Sequence, residues 1–193
     1  ETARSVAANV SAVREWDSNG TNFGFDKNTG RIAGEFGHND FYPVALAASR
    51  EARFNGNDAL RLMLLIDEIR GRLAEVFPLR TYAIDHVHHG AVACAAAVTA
   101  ALGGSVSQIE SAVGLVVAHY VPLRAIRAGE QLSDSKGSSA AFAAETAVLA
   151  AHPLDNNGEP QRQAQAKRAA EQGWRRTQHQ RNAAAQQLRA AER

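Results

Sequence analysis

Residues 85–104, DHVHHGAVACAAAVTAALGG, constrain the fold more than any other stretch of the chain. The thirteen residues 90–102 are drawn only from Gly, Ala, Val, Cys, Thr and Leu. Side chains this small let neighbouring helices approach closely, so the stretch reads as the central helix of a tightly packed bundle. Asp85 stands where a cap is wanted, and Gly103-Gly104 stands where a helix stops. His86, His88 and His89 crowd the N-terminal end. A helix N-terminus carries free N–H groups and partial positive charge, which suits an anionic ligand, so the functional site is expected around this mouth.

The rest of the chain supplies helices to pack around it. Ala3, Val6, Ala7, Val10, Val13 and Trp16 recur at helical spacing over residues 2–16. Residues 17–40 are rich in Gly, Asn and Asp and read as one long functional loop, pinned to a core by Phe23, Phe25, Ile32 and Phe36. Pro43 opens a short helix over about 42–53, which Asn55-Gly56 breaks. Asn57 or Asp58 then caps an apolar helix over about 58–77, ended by Pro78, with a buried face expected at Leu60, Met63, Leu64, Ile66, Leu73 and Phe77, widened by Leu62, Leu65, Ile69 and Val76. Glu68 within it is expected to be solvated or ion-paired. Ser105 or Ser107 opens the next helix, with capping-box spacing at Ser107 and Glu110, running to about Val121. A polar loop over 129–139 leads to a last apolar helix over about 138–151, holding Phe142, Ala143, Ala147, Val148 and Leu149. No alternating strand pattern interrupts this series, so the fold class expected is all-α.

Charge divides the chain. Residues 1–152 carry 13 basic and 16 acidic side chains, whereas residues 153–193 carry 8 basic and 4 acidic. The body is therefore no nucleic-acid binder by charge. The segment 153–193 is rich in Gln, Ala and Arg, has little to bury, and reads as a separate basic tail or lone helix. Cys94 is the only cysteine and lies in the apolar run, which makes it a core residue and favours a reducing compartment. No apolar run reaches the roughly 20 residues a bilayer span requires, and no signal peptide opens the chain, so a cytoplasmic protein without membrane contact is expected. The chain starts at Glu1 with a helical pattern already under way, and reads as part of a longer protein.

Several residues carry candidate chemistry. The three histidines resemble a ligand cluster, but neither an H-E-x-x-H motif nor a cysteine pair accompanies them, so no metal is expected. Asp17, His38 and His86 are polar groups at three helix-to-loop junctions, where acid–base residues distant in sequence can meet. The body has only two lysines, Lys27 and Lys136, and Lys136 lies among serines just before an apolar helix, where an ammonium can pair with a carboxylate. Arg124 and Arg127, one turn apart, can face the same anion. Glycine-rich phosphate-binding motifs are missing.

Taken together, these segments resemble the MmgE/PrpD family, which includes 2-methylcitrate dehydratase and cis-aconitate decarboxylase. Trp16-Asp17-Ser18-Asn19-Gly20-Thr21 resembles the family's D-x-x-x-T segment, and Gly37-His38-Asn39-Asp40 its G-H-P-S-D, with Asn39 in place of proline. Ile66-Asp67-Glu68-Ile69-Arg70-Gly71 is similar to A-H-E-I-Q-G, and Ile84-Asp85-His86-Val87 to L-D-H-V. Leu123-Arg124 to Arg127, followed by Ser135-Lys136-Gly137-Ser138-Ser139, is similar to L-R-x-x-R and R-K-S-W-A. The ordered set spans residues 2–151, and nothing beyond about residue 152 is expected to match.

The resemblance implies a partial helical domain over residues 1–152 from a cofactor-independent hydro-lyase. The implied substrate is 2-methylcitrate or a related tri- or dicarboxylate. Decarboxylation of cis-aconitate type and dicarboxylate epimerisation are the alternatives within the family. An inactive helical interaction domain is the alternative outside it. The resemblance places site residues at Asp17, Thr21, His38, His86 and Lys136. It implies no metal or other cofactor, and a homodimer in the full-length protein. It also implies an α/β lid domain that this chain lacks, so the chain alone is expected to be inactive.

Overall fold

A computed structural model describes residues 2–16, 23–28, 30–35, 38–127 and 135–152. For residues 23–26, 31–35, 38, 126, 127, 135 and 136 it describes the backbone alone. The expected division at residue 152 and the basic tail beyond it lie outside the described residues.

The described helices are α1 (Thr2–Trp16), α2 (Tyr42–Glu51), α3 (Gly56–Val76), α4 (Val87–Ala101), α5 (Val106–His119) and α6 (Ser135–Ala151). The run of small residues is α4, and it sits at the centre as expected. It packs against α2, α3, α5 and α6, while α1 lies along α6 and α2. Eleven of its residues are buried, on every face of the helix. Val6, Val10, Phe41, Val44, Ile66 and Val116 from the surrounding elements close the core around it. Gly90 shows why small residues are required. A Cβ there would run into the ring of the fully buried Phe41.

Caps set the ends of these helices, in places one turn away from the expected residue. Asn55, read as part of a break, is the N-cap of α3, and its side chain accepts from the N–H groups of Asn57 at 2.9 Å and Asp58 at 3.1 Å. The capping box of α5 is formed by Ser105 and Gln108, not by Ser107 and Glu110. Gly103 ends α4 at φ +81°, with N–H bonds from Gly103 to Ala100 O and from Gly104 to Thr99 O. That is the left-handed glycine stop read from Gly103-Gly104. Glu68 is exposed and pairs with Arg72 at 2.8 Å, as expected.

Three expectations are corrected. Residues 17–40 are not one loop. They contain an antiparallel hairpin of β1 (Phe23–Asp26) and β2 (Arg31–Glu35), pairing Phe25 with Ile32 and Asp26 with Arg31, with Gly30 at φ +64° in the turn. The hairpin lies against α3, which gives its backbone pairing a support that an isolated hairpin lacks. The alternation of Phe23 with Phe25 is the signal that the Asn- and Gly-rich composition masks. Second, the buried stripe of α3 is Ala59, Leu62, Ile66, Arg70 and Ala74. Leu60 and Leu64 fall off that stripe and are exposed, as are Phe142 and Leu149 of α6. Third, α6 begins at Ser135, so Lys136 belongs to its first turn and not to the preceding loop. Among the described residues the fold is all-α apart from the hairpin. Among the described residues no helix is long and apolar enough to cross a membrane.

Candidate active site

The chain entering α4 is tied to the chain leaving α5. Ile84 and Leu123 form an antiparallel bridge, Asp85 N–H donates to Pro122 O at 2.8 Å, and Arg124 N–H donates to Ala83 O at 2.8 Å. This pairing places Arg124, at the head of a 3₁₀ turn over Arg124–Arg127, beside the N-terminal end of α4. In a 3₁₀ turn residues three apart eclipse, so the backbone positions of Arg124 and Arg127 share one side. The side chain of Arg127 lies outside the described residues.

Within this clamp Asp85 is fully buried and His86 nearly so. His86 Nδ1 lies 3.0 Å from an oxygen of Asp85, and the same oxygen accepts from Val87 N–H at 3.2 Å. Asp85 thus does two jobs. It holds the first turn of α4, and it favours the His86 tautomer with the proton on Nδ1. The basic nitrogen of that tautomer is Nε2. Asp85 as a cap was legible from its position, although its place is one residue before the geometric cap, His86.

Tyr120, the residue that ends α5, lies between this pair and α6. Its hydroxyl donates to Ser139 O at 3.4 Å. Burial, and next the negative charge of Asp85, push the phenol above its ordinary pKa, so it stays a neutral donor. Sequence reasoning passed over Tyr120. A tyrosine at the end of an apolar helix carries no signal apart from the fold.

The first turn of α6 also meets the last turn of α1. A Cβ on Gly137 would collide with the carboxylate of Glu15. Arg14 beside it pairs with Asp40 at 3.2 Å, both buried. Asp40 belongs to the 3₁₀ turn His38–Phe41 that opens α2. The α6 helix packs against this turn and against the Arg124–Arg127 turn. The backbone of His38 is therefore two residues from the Arg14 pair, and that of Lys136 is next to Gly137. The side chains of His38 and Lys136, and all of Asp17 and Thr21, lie outside the described residues.

A second buried polar group underlies the histidines. Arg70 is 2% exposed, 3.8 Å from Asp67 and 4.8 Å above the ring of Phe41. Tyr42 donates to Asp67 at 2.7 Å, and its phenol is pushed up to about 12, chiefly by burial and then by that hydrogen bond. His89 is lowered to about 4, first by burial and then by the positive charge of His88, Arg70 and His86. His88 is also lowered, mainly by burial. Both rings are neutral near pH 7. Cys94 is fully buried and its thiol is pushed upward by burial, which is the core role read from the sequence. Among the described residues no group of three or more His, Cys, Asp or Glu is arranged to hold a metal ion.

The missed arginines did leave a trace. Arg14 follows Ala3, Val6 and Val10 on the buried stripe of α1, and Arg70 follows Leu62 and Ile66 on that of α3. A charged residue in phase with an apolar stripe is buried and paired more often than it is misplaced.

Neither the curated proteins nor the solved structures give a match to this chain. A family model does: the MmgE/PrpD N-terminal domain matches residues 29–186. The match continues well past residue 152, which corrects the expectation that nothing there resembles the family. It begins after the Asp17–Thr21 segment, so that part of the resemblance stands outside it. With most of its length covered, including the His38, His86 and Lys136 segments, this chain belongs to the MmgE/PrpD family.

Proposed function

We propose that the chain provides the helical part of a hydro-lyase acting on 2-methylcitrate or a closely related tricarboxylate, without metal or other cofactor. Membership of a family of generally lyase-like enzymes supports the dehydratase-like class. The observation that carries the reading is the buried Asp85–His86 pair at the N-terminal end of α4.

Dehydration removes a proton from the carbon beside a carboxylate. The electron pair left behind forms the new double bond as the hydroxyl leaves, protonated, as water. His86, oriented by Asp85, supplies a basic Nε2 for the first step. His38 is the partner for the second, and either histidine can take either role. Asp17 is the third acid–base group. Lys136 anchors a substrate carboxylate, with Thr21, Arg124 and Arg127 around the remaining ones. Decarboxylation or epimerisation would use the same base and the same anchors on a different substrate.

A second reading, a helical interaction domain, is favoured by one observation. Leu60, Leu64, Val76 and Phe77, along α3 and at its end, are all more than half exposed. That surface also agrees with the homodimer proposed for the full-length protein. Thermal denaturation with and without citrate separates the two readings. The enzyme reading expects a rise in Tm that disappears in Lys136→Ala and His86→Ala. No rise in the intact chain favours the interaction domain.

A further inference from the structure

We propose that Tyr120 is a positioning residue, whose hydroxyl holds the second turn of α6 at Ser139, and through it Lys136 one turn earlier, in register with the Asp85–His86 pair. The inference rests on the reading that Lys136 and His86 serve one site, and adds to it the group that keeps them aligned.

Tyr120 is joined to both halves of that site. Two residues after it, Pro122 O accepts the N–H of Asp85, and the bridge from Ile84 to Leu123 extends the same pairing. The body of its ring packs against the core cluster. Its carbonyl lies beside the His88 ring and partly offsets the cost of burying that ring. Its hydroxyl reaches Ser139 O. Ser139 is three residues after Lys136, close to the same face of α6. A helix carbonyl has a second lone pair, so the tyrosine bond adds to the helix without replacing one of its own bonds. One turn earlier the Glu15 carboxylate closes against Gly137. The N-terminal part of α6 is thus contacted by Glu15 from α1 and by Tyr120 at the end of α5. The burial and the Asp85 charge that hold the phenol protonated keep this donor in place throughout the neutral range.

Tyr120→Phe removes the hydroxyl and keeps the ring. In the whole 193-residue chain, amide hydrogen exchange in residues 139–143 should speed up by about fivefold to tenfold, the scale of one hydrogen bond, while exchange in α3 stays unchanged. Citrate affinity, measured by calorimetry, should fall by a similar factor, with Tm held within about 2 °C. A purely structural role would lower Tm and leave citrate affinity alone. Unchanged exchange in residues 139–143 overturns the proposal, as does unchanged citrate affinity beside normal binding by the wild type. If the wild type does not bind citrate, the single-site reading fails, and the exchange rates alone then decide whether Tyr120 holds the turn.

Discussion

Nδ1 of His86 lies 3.0 Å from a carboxylate oxygen of Asp85, and both side chains are buried. One carboxylate here holds a helix end and a histidine tautomer together. Asp85→Asn keeps the shape, but removes the charge that steadies a protonated His86. Turnover of the tricarboxylate proposed as substrate, measured in the full-length protein, is expected to drop by about a hundredfold or more, with KM little changed. Steady-state kinetics of the variant check this, and a comparable rise in KM with kcat unchanged would assign Asp85 to binding instead.

The low pKa of His89 gives an acid limb to stability. An unfolded histidine titrates near 6.5 and His89 near 4, so between those values the unfolded chain takes up a proton that the folded chain refuses. Stability is full above pH 6.5 and falls as pH drops towards 4, by up to about 3 kcal/mol. His88, lowered in the same direction, adds to the fall. Urea unfolding across this range should show the slope in the wild type, and only a shallower one in His89→Leu.

Tyr42 makes the alkaline counterpart. Its phenol ionises at about 10 in the unfolded chain and about 12 in the folded one. The stability it contributes is present below pH 10 and is lost as pH rises towards 12. Tyr42→Phe should flatten that limb in the same denaturation series.

Whether these elements were legible from residues alone depended on what each one rests upon. The central position of α4 follows from the size of its side chains, and Cys94 and Glu68 follow from local context. The hairpin was hidden because its support comes from α3, which is distant in sequence. The exposure of Leu60 and Leu64 depends on which face of α3 meets α4, and composition does not fix a face. Arg14 and Arg70 are buried beside Asp40 and Asp67, partners that are distant or unmarked in the sequence. Of the site, His86 was legible as a polar residue at a helix mouth. Tyr120 was not, because its partner Ser139 lies across the bundle.

Breaking the Arg14–Asp40 pair should be costly, because each member is buried. Arg14→Ala leaves a carboxylate in the interior, and a loss of about 3 kcal/mol or more is expected in chemical denaturation. Arg14→Met with Asp40→Leu should recover much of it, since no charge is then stranded.

Gly90→Ala tests the packing of the central helix. Alanine favours a helix by about 1 kcal/mol over glycine, yet its methyl would occupy space taken by Phe41. The clash should win, with a net destabilisation of about 1–3 kcal/mol. Combining the change with Phe41→Leu should restore part of the loss.

In the proposed function His86 and Lys136 serve one tricarboxylate site. Nitrogen-15 NMR of the histidine rings during a citrate titration tests it most directly. The His86 ring resonances should move with saturable dependence on citrate while those of the exposed His119 stay still, and Lys136→Ala should abolish the movement. A citrate titration that leaves His86 unmoved, or moves it equally in Lys136→Ala, would contradict the account.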